Sequence, residues 1–168
     1  MDQDSPFEDQ LSALLPRLRR FAHALSRDPA DADDLTQATI ERALRSRGQW
    51  QPGTRLDSWS YRIMRNLWID TARARSRRAG HEAPEAEGIN VGEDPRGAIE
   101  ASLDLQRIMA AMARLPDEQR EVVALILIEG FGYREVAEMV GLPIGTVSSR
   151  LVRGRTALLE MLGGPADG

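Results

Sequence analysis

Cysteine is absent from the 168 residues, which rules out intrachain disulfides, thiol catalysis and any cysteine-ligated zinc. Lysine is absent too. All 22 basic side chains are arginine, a usage that fits a GC-rich genome and also supplies planar forks suited to phosphate. Aromatic residues make up 5% of the chain against 42% hydrophobic residues, a balance that favours helical packing over a β sandwich. No apolar run is long enough to span a membrane; the longest candidate, Val122 to Ile128, reads as a buried helix segment. The acidic start, MDQDSPFEDQ, lacks the basic-then-apolar order of a signal peptide, so a cytoplasmic location is expected. There is no Ser-His-Asp order, no metal-ligand spacing and no phosphate-cradling glycine loop. A non-enzymatic protein without metal or cofactor is therefore expected, and His81, alone in a polar stretch, reads as a solvated loop histidine.

What charge there is, is segregated. The net charge of −4 hides nine acids against four arginines from Met1 to Glu41, then ten arginines against Asp57 and Asp70 from Arg42 to Arg78. An acidic stretch and a small basic helix complete the order. Such segregation suits one surface for nucleic acid and another for a protein partner.

The hydrophobic spacing predicts an all-α fold. Leu11, Leu14, Leu15, Leu18, Phe21, Ala22 and Leu25 recur at three-and-four spacing, predicting a helix from about Glu8 to Ser26. Asp28 caps a second helix whose first turn begins with Pro29 and which ends near Ser46. Its inward set is Leu35, Ile40, Ala43 and Leu44; Asp33, Asp34, Gln37 and Glu41 face outward. Gly48 to Leu56 is a turn-rich loop, and a third helix runs from about Asp57 to Arg78. Residues 79–97 are rich in Gly, Pro and Glu and read as a flexible acidic linker. Helical periodicity resumes at Ala98 with Leu103, Leu105, Ile108, Met109 and Met112, breaks at Leu115-Pro116, and continues from Asp117 to Glu129, where Gly130 ends it. The expected layout is two small helical domains, residues 1–78 and 98–162, with a tail at 163–168.

Two segments carry a binding chemistry. Tyr133 to Gly141 forms a short helix with Val136, Ala137 and Val140 inward; Gly141, Leu142 and Pro143 make a turn, and TVSSRLVRGR from Thr146 opens a second helix. Val147, Leu151 and Leu158 share one stripe of that helix, while Thr146, Ser149, Arg150 and Arg153 share another. A helix, a tight turn and a helix presenting hydroxyls and guanidinium groups describe a helix-turn-helix built for phosphates and base edges. In the third helix, Trp59, Arg62, Asn66, Arg73 and Arg77 cluster on one side, with Tyr61 and Trp68 on the flanks. Rings interleaved with arginines suit unpaired bases and their phosphates. Core packing is the competing role for Trp59 and Trp68.

On these residues the chain resembles the bacterial sigma factors of the extracytoplasmic-function group, within the sigma-70 family. The resemblance rests in the C-terminal part on Leu115-Pro116, Gln119-Arg120, Gly130, Tyr133, Glu135, Ala137, Gly141, Pro143, Gly145-Thr146-Val147 and Ser149-Arg150-Leu151. In the N-terminal part it rests on Asp33-Asp34-Leu35 with Gln37, and on Trp59, Tyr61-Arg62-Ile63, Arg65-Asn66 and Asp70. PRLRRFAHAL at Pro16 and LPDEQRE at Leu115 are similar to the general-stress type of alphaproteobacteria.

The resemblance implies that Asp33, Asp34, Leu35, Gln37 and Glu41 dock on the beta-prime clamp of RNA polymerase core. It implies that Trp59, Tyr61, Arg62, Arg65, Asn66, Arg73 and Arg77 open and hold the minus-ten promoter element, and that Thr146, Ser148, Ser149, Arg150 and Arg153 read the minus-thirty-five element. Core polymerase, promoter DNA and an anti-sigma factor are then the expected partners. Many relatives carry a basic residue at the position of Ser148, an alanine at that of Gly154 and a serine at that of Gly132. Gly154 is accordingly expected to loosen the second helix by up to about 1 kcal/mol, and Gly132 to weaken a cap. Two other readings share these features: a plain helix-turn-helix regulator, which leaves the acidic and aromatic-basic faces without purpose, and a sigma mimic that sequesters an anti-sigma factor, which does not need Arg150 and Arg153.

Overall fold

The computed structural model describes residues 6–79 and 98–164. The expected linker, apart from Ala79, and His81 with it, lie outside the described residues. Seven α-helices account for most of the remainder: α1 (Phe7–Leu25), α2 (Pro29–Arg45), α3 (Leu56–Ala79), α4 (Ala98–Arg114), α5 (Asp117–Val123), α6 (Tyr133–Val140) and α7 (Ile144–Met161). A 3-10 turn spans Arg47–Gln49, and α5 continues as a π-helical turn over Ala124–Ile128. No strand occurs among the described residues.

Local chemistry explains the boundaries. The Asp28 carboxylate accepts the Ala30 backbone N–H at 3.0 Å, and Pro29 occupies the first helical position, where its missing N–H costs nothing. Gly141 ends α6 at φ +69, the left-handed geometry a glycine reaches without a Cβ clash, and the Leu142 N–H returns to the Ala137 carbonyl at 3.1 Å. Gly132 caps α6 with no side-chain hydrogen bond, as expected from its lack of a hydroxyl.

Leu11, Leu14, Leu18, Phe21, Ala22 and Leu25 of α1 are all buried, as their spacing predicts. Each of the leucines and Phe21 contributes about 1.5–3 kcal/mol of hydrophobic stabilisation, and Ala22 less. α1, α2 and α3 pack around this stripe, while α5 lies against α7 and α6 against α7. The two halves do not stand apart. One apolar cluster runs from Phe21 and Tyr61 through Phe131 into Val122, Leu125 and Val147, and α1 also touches α4 and α5.

Two expectations for apolar residues are corrected, and that for Gly154 is extended. Leu44 is exposed because α2 turns that position away from α1 and α3. Leu103, Leu105 and Ile108 are exposed on α4, which packs against α1 and α7 along other positions; Met112 is the buried end of the periodic set. Gly154 does more than lower helix propensity. A Cβ at this position would lie 2.7 Å from Val123 Cγ2 and 3.3 Å from Gln119 Cβ, so the missing side chain is what lets α7 approach α5.

A buried cation ties the helix ends together. Arg120, 1% exposed, donates to the carbonyls of Met112 (2.8 Å), Ala113 (3.4 Å) and Leu115 (2.6 Å) at the end of α4, and to Leu25 (2.9 Å) at the end of α1. Carbonyls at helix C-termini lack intrahelical partners and carry partial negative charge, so one guanidinium satisfies several at once. Asp117 Oδ1 at 3.1 Å balances part of its charge. Burial first, and Arg27 next, pull the Arg120 pKa below the ordinary arginine value.

Candidate nucleic-acid interface

α7 is held by Val147 and Leu151, both buried, and by the close crossing at Gly154. This anchoring turns the opposite stripe outward. Thr146, Ser149, Arg150 and Arg153, with Gly145, line an open groove of about 340 Å³ whose other wall is Glu118 and Gln119 of α5. Ser148 is half-buried and is not part of that wall. Four of the five residues expected to read the minus-thirty-five element thus converge. Arg150 lies 4.0 Å from Glu118, a loose ion pair that leaves the guanidinium near the groove.

On α2, Asp33, Asp34, Gln37 and Glu41 are exposed along one face. Asp33 lies 3.7 Å from His23 Nε2, and the Gln37 amide donates to Glu41 at 3.4 Å. Leu35, named with them, is 8% exposed and belongs to the core, because a residue one or two positions from an exposed pair falls on the opposite side of the helix. Asp31, next to this face, binds Arg75 of α3 through two bonds of 2.5 and 2.6 Å, an exposed ion pair that links the two helices.

The third set divides in two. Asn66, Arg73 and Arg77 are exposed, and Arg73 and Arg77 border a groove of about 550 Å³ with Asp70 and Ser76. Trp59 is half-buried with its ring edge-on to Phe7 at 6.0 Å, and Trp68 packs against the core, so both tryptophans carry structural contacts. The remaining members face the C-terminal half. Tyr61 is 1% exposed, wedged between Phe21 (4.9 Å) and Phe131 (5.1 Å). Its hydroxyl donates to Glu129 Oε2 at 2.5 Å, and burial followed by that carboxylate pushes the phenol pKa up. Arg65 donates to both oxygens of Glu121, at 2.7 and 3.2 Å. Arg62 reaches the Glu138 carbonyl at 3.4 Å, and Arg55, just before α3, binds Glu135. In this arrangement Tyr61 is a core residue and Arg65 a paired one, not free surface groups, because the C-terminal half covers that part of α3.

Glu121 and Glu129 were not picked out by sequence reasoning, nor was Arg20, which grips Glu129 with bonds of 2.9 and 2.8 Å. The Glu129 side chain is fully shielded, and that of Glu121 nearly so. Their signal in the sequence is that they bracket the apolar run Val122 to Ile128. At α-helical pitch, residues eight apart diverge by about 80°. The π turn, with i→i+5 bonds such as Glu129 N–H to Ala124 O at 2.9 Å, advances less per residue and returns Glu129 towards the side of Glu121.

Comparison with known proteins gives a consistent picture. Residues 11–78 match the family described as Sigma-70 region 2, and residues 105–158 match Sigma-70, region 4. The chain is 36% identical over 154 residues to the ECF RNA polymerase sigma factor EcfG of Rhodopseudomonas palustris, covering 92% of this chain and 83% of that protein. It is 33% identical over 147 residues to the ECF RNA polymerase sigma factor SigM of Mycobacterium tuberculosis, covering 88% and 72%. The fold resembles the co-crystal structure of the sigma factor RpoE with the anti-sigma factor NepR from Bartonella quintana, with a TM-score of 0.81 at 34% identity over 94% of this chain and 96% of that one. It also resembles CnrH in complex with the cytosolic domain of CnrY, with a TM-score of 0.65 at 25% identity over 96% and 91%.

Proposed function

We propose how the work is divided within this chain, which belongs to the extracytoplasmic-function sigma factors of the sigma-70 family. It binds RNA polymerase core and directs promoter-specific transcription initiation. The observation that carries the reading is the groove at α7, where Thr146, Ser149, Arg150 and Arg153 converge on the outer face of a helix-turn-helix. Hydroxyls and guanidinium forks at that spacing suit phosphate contacts and guanine edges in a major groove, here the minus-thirty-five element. Ser148, off that wall, is proposed as a flanking contact.

The exposed carboxylates Asp33, Asp34 and Glu41, with Gln37, are proposed to dock on the beta-prime clamp, with Leu35 supporting that helix from beneath. Asn66, Arg62, Arg65, Arg73 and Arg77 are proposed to meet the opened minus-ten element, with Trp59 and Tyr61 beside them. Residues 1–78 and 98–162 then act as two binding units on one promoter. The factor contributes binding and not bond chemistry, and it works where the polymerase is, in the cytoplasm. No helix among the described residues is long and apolar enough to cross a membrane. An anti-sigma factor is proposed as its regulator, supported by the co-crystal relative.

The test is transcription in vitro by purified core polymerase on genomic fragments, with and without the protein. New specific start sites are expected. Tight core binding without transcripts would favour the sequestering mimic, and neither activity would leave a plain DNA-binding regulator. In the same assay Asp34→Arg should abolish core binding with helicity retained; unchanged affinity would remove α2 as the docking face.

A further inference from the structure

The groove at α7 has one acid in its lining, and a nucleic-acid site has no evident use for it. Glu118 of α5, with a side chain 63% exposed, stands on the wall opposite Thr146, Ser149, Arg150 and Arg153. An exposed carboxylate there repels phosphate and so opposes the affinity that the arginines of the facing wall supply. Its neighbour across the groove is Arg150. Glu118 Oε2 lies 4.0 Å from Arg150 Nη2, too far for a hydrogen bond but close enough for the charges to attract. The guanidinium is drawn to the α5 side, yet the pair consumes none of its N–H donors. Glu121, one turn further along α5, also feels the charge of Arg150, but both its oxygens already accept from Arg65. Glu118 is thus the acid left to steer Arg150. Arg153, exposed on the same wall, forms no ion pair among the described residues.

We propose that Glu118 is a positioning residue for promoter reading: it keeps Arg150 off the phosphate backbone and directs its fork to a base edge, so that total affinity falls and sequence discrimination rises. This rests on the reading of the α7 groove as the minus-thirty-five site. Phosphate contacts carry no sequence information, whereas a guanidinium bonded to guanine O6 and N7 does. Phosphates line both edges of a major groove, and an unrestrained arginine on a helix lying there reaches them as readily as the bases. A carboxylate beside that arginine penalises the approach of a charged phosphate far more than that of a neutral base edge. The single acid of the groove therefore acts against the unspecific part of binding.

The experiment uses holoenzyme assembled from core polymerase and the full-length chain. Its probes are a promoter duplex from a start site mapped in the transcription assay and the same duplex with the minus-thirty-five block scrambled. Competition binding over a range of salt concentrations gives the ratio of the two affinities and the slope of log affinity against log salt. Glu118→Gln should bind the scrambled duplex roughly tenfold tighter, lower the ratio by about as much, and steepen the slope by about 0.9, the value for one added phosphate contact. Glu118→Asp, which keeps the charge, should retain most of the wild-type ratio. In an Arg150→Gln background, Glu118→Gln should leave the ratio unchanged. A wild-type ratio and slope in Glu118→Gln overturn the proposal, and a lowered melting temperature with both unchanged assigns the residue to the stability of α5 alone. An equal fall of the ratio in the Arg150→Gln background also overturns it, because the effect would not pass through Arg150. A wild-type holoenzyme that does not distinguish the two duplexes removes the minus-thirty-five reading itself, and the proposal with it.

Discussion

The Tyr61 hydroxyl donates to Glu129 Oε2 at 2.5 Å, joining residues 68 positions apart and from opposite halves of the chain. The ring is packed on both sides, so the hydroxyl has no access to water that could replace the carboxylate. Tyr61→Phe preserves the contacts with Phe21 and Phe131 and removes only the donor. A loss of roughly 1.5–3 kcal/mol is expected, the range for a hydrogen bond to a charged group. Urea unfolding of the two proteins measures it, and equal midpoints would show that the bond is not formed in solution.

Gly154 invites the opposite of the usual expectation for a glycine within a helix. Alanine there gains up to about 1 kcal/mol in propensity. It must also displace the buried, β-branched Val123, an overpacking that costs about 1–3 kcal/mol. Gly154→Ala should therefore be neutral to destabilising, and should weaken DNA binding by shifting α7. A clear rise in melting temperature would contradict the tight crossing.

Arg120→Met should be among the most damaging single changes outside the binding surfaces. It leaves the carbonyls of Leu25, Met112 and Leu115 buried without their donor, for a loss of about 3–5 kcal/mol. Chemical denaturation gives the value directly; a loss below about 1 kcal/mol would mean that the helix ends find other partners.

Asp57 provides a pH signature. Burial alone would raise its pKa, but the hydrogen bonds from Arg55 and from the Ser58 N–H, with the charges of Arg55 and Arg17, outweigh burial and hold it below the ordinary 3.8. A carboxylate whose folded pKa is depressed contributes stability that is fully present above the unfolded value and is lost as pH falls through the folded one. Asp57→Asn should thus cost roughly 1.5–3 kcal/mol near neutral pH. That difference should shrink once pH drops below about 4. Stability curves of both proteins from neutral to acid pH test the convergence.

The groove at α7 separates two neighbouring positions. Arg153→Ala removes an exposed guanidinium from its wall and should weaken binding to a duplex carrying the minus-thirty-five element about 5- to 160-fold, corresponding to about 1–3 kcal/mol for a base contact. Ser148→Ala should change affinity less than Arg153→Ala does. The reverse order in a duplex titration would relocate the reading face.

Much of this was legible in the residue order. The stripe of α1, the Asp28 cap, the positive φ of Gly141 and the shared face of Thr146, Ser149, Arg150 and Arg153 depend on periodicities and local sterics that operate within a few residues. Leu103, Leu105 and Ile108 show the limit of that logic. Their spacing predicts an apolar face for α4, but whether a face is covered depends on what packs against it. Tyr61 shows the same limit from the other side, because an aromatic beside arginines fits a base-stacking site and a core equally well.

The sequence by itself determined the helical class, the order of the helices, the turn before α7 and the segregation of acid from base, since each follows from short-range pattern and composition. Only the tertiary structure decided that Glu121 and Glu129 meet Arg65 and Tyr61, that Arg120 joins the ends of α1 and α4, and that Gly154 is a packing residue. Those relationships join positions up to 95 residues apart. They also depend on a π turn whose altered pitch rotates Glu129 towards α3. A repeat of three or four residues carries no information at that range, so these contacts come from the way the two halves close on each other.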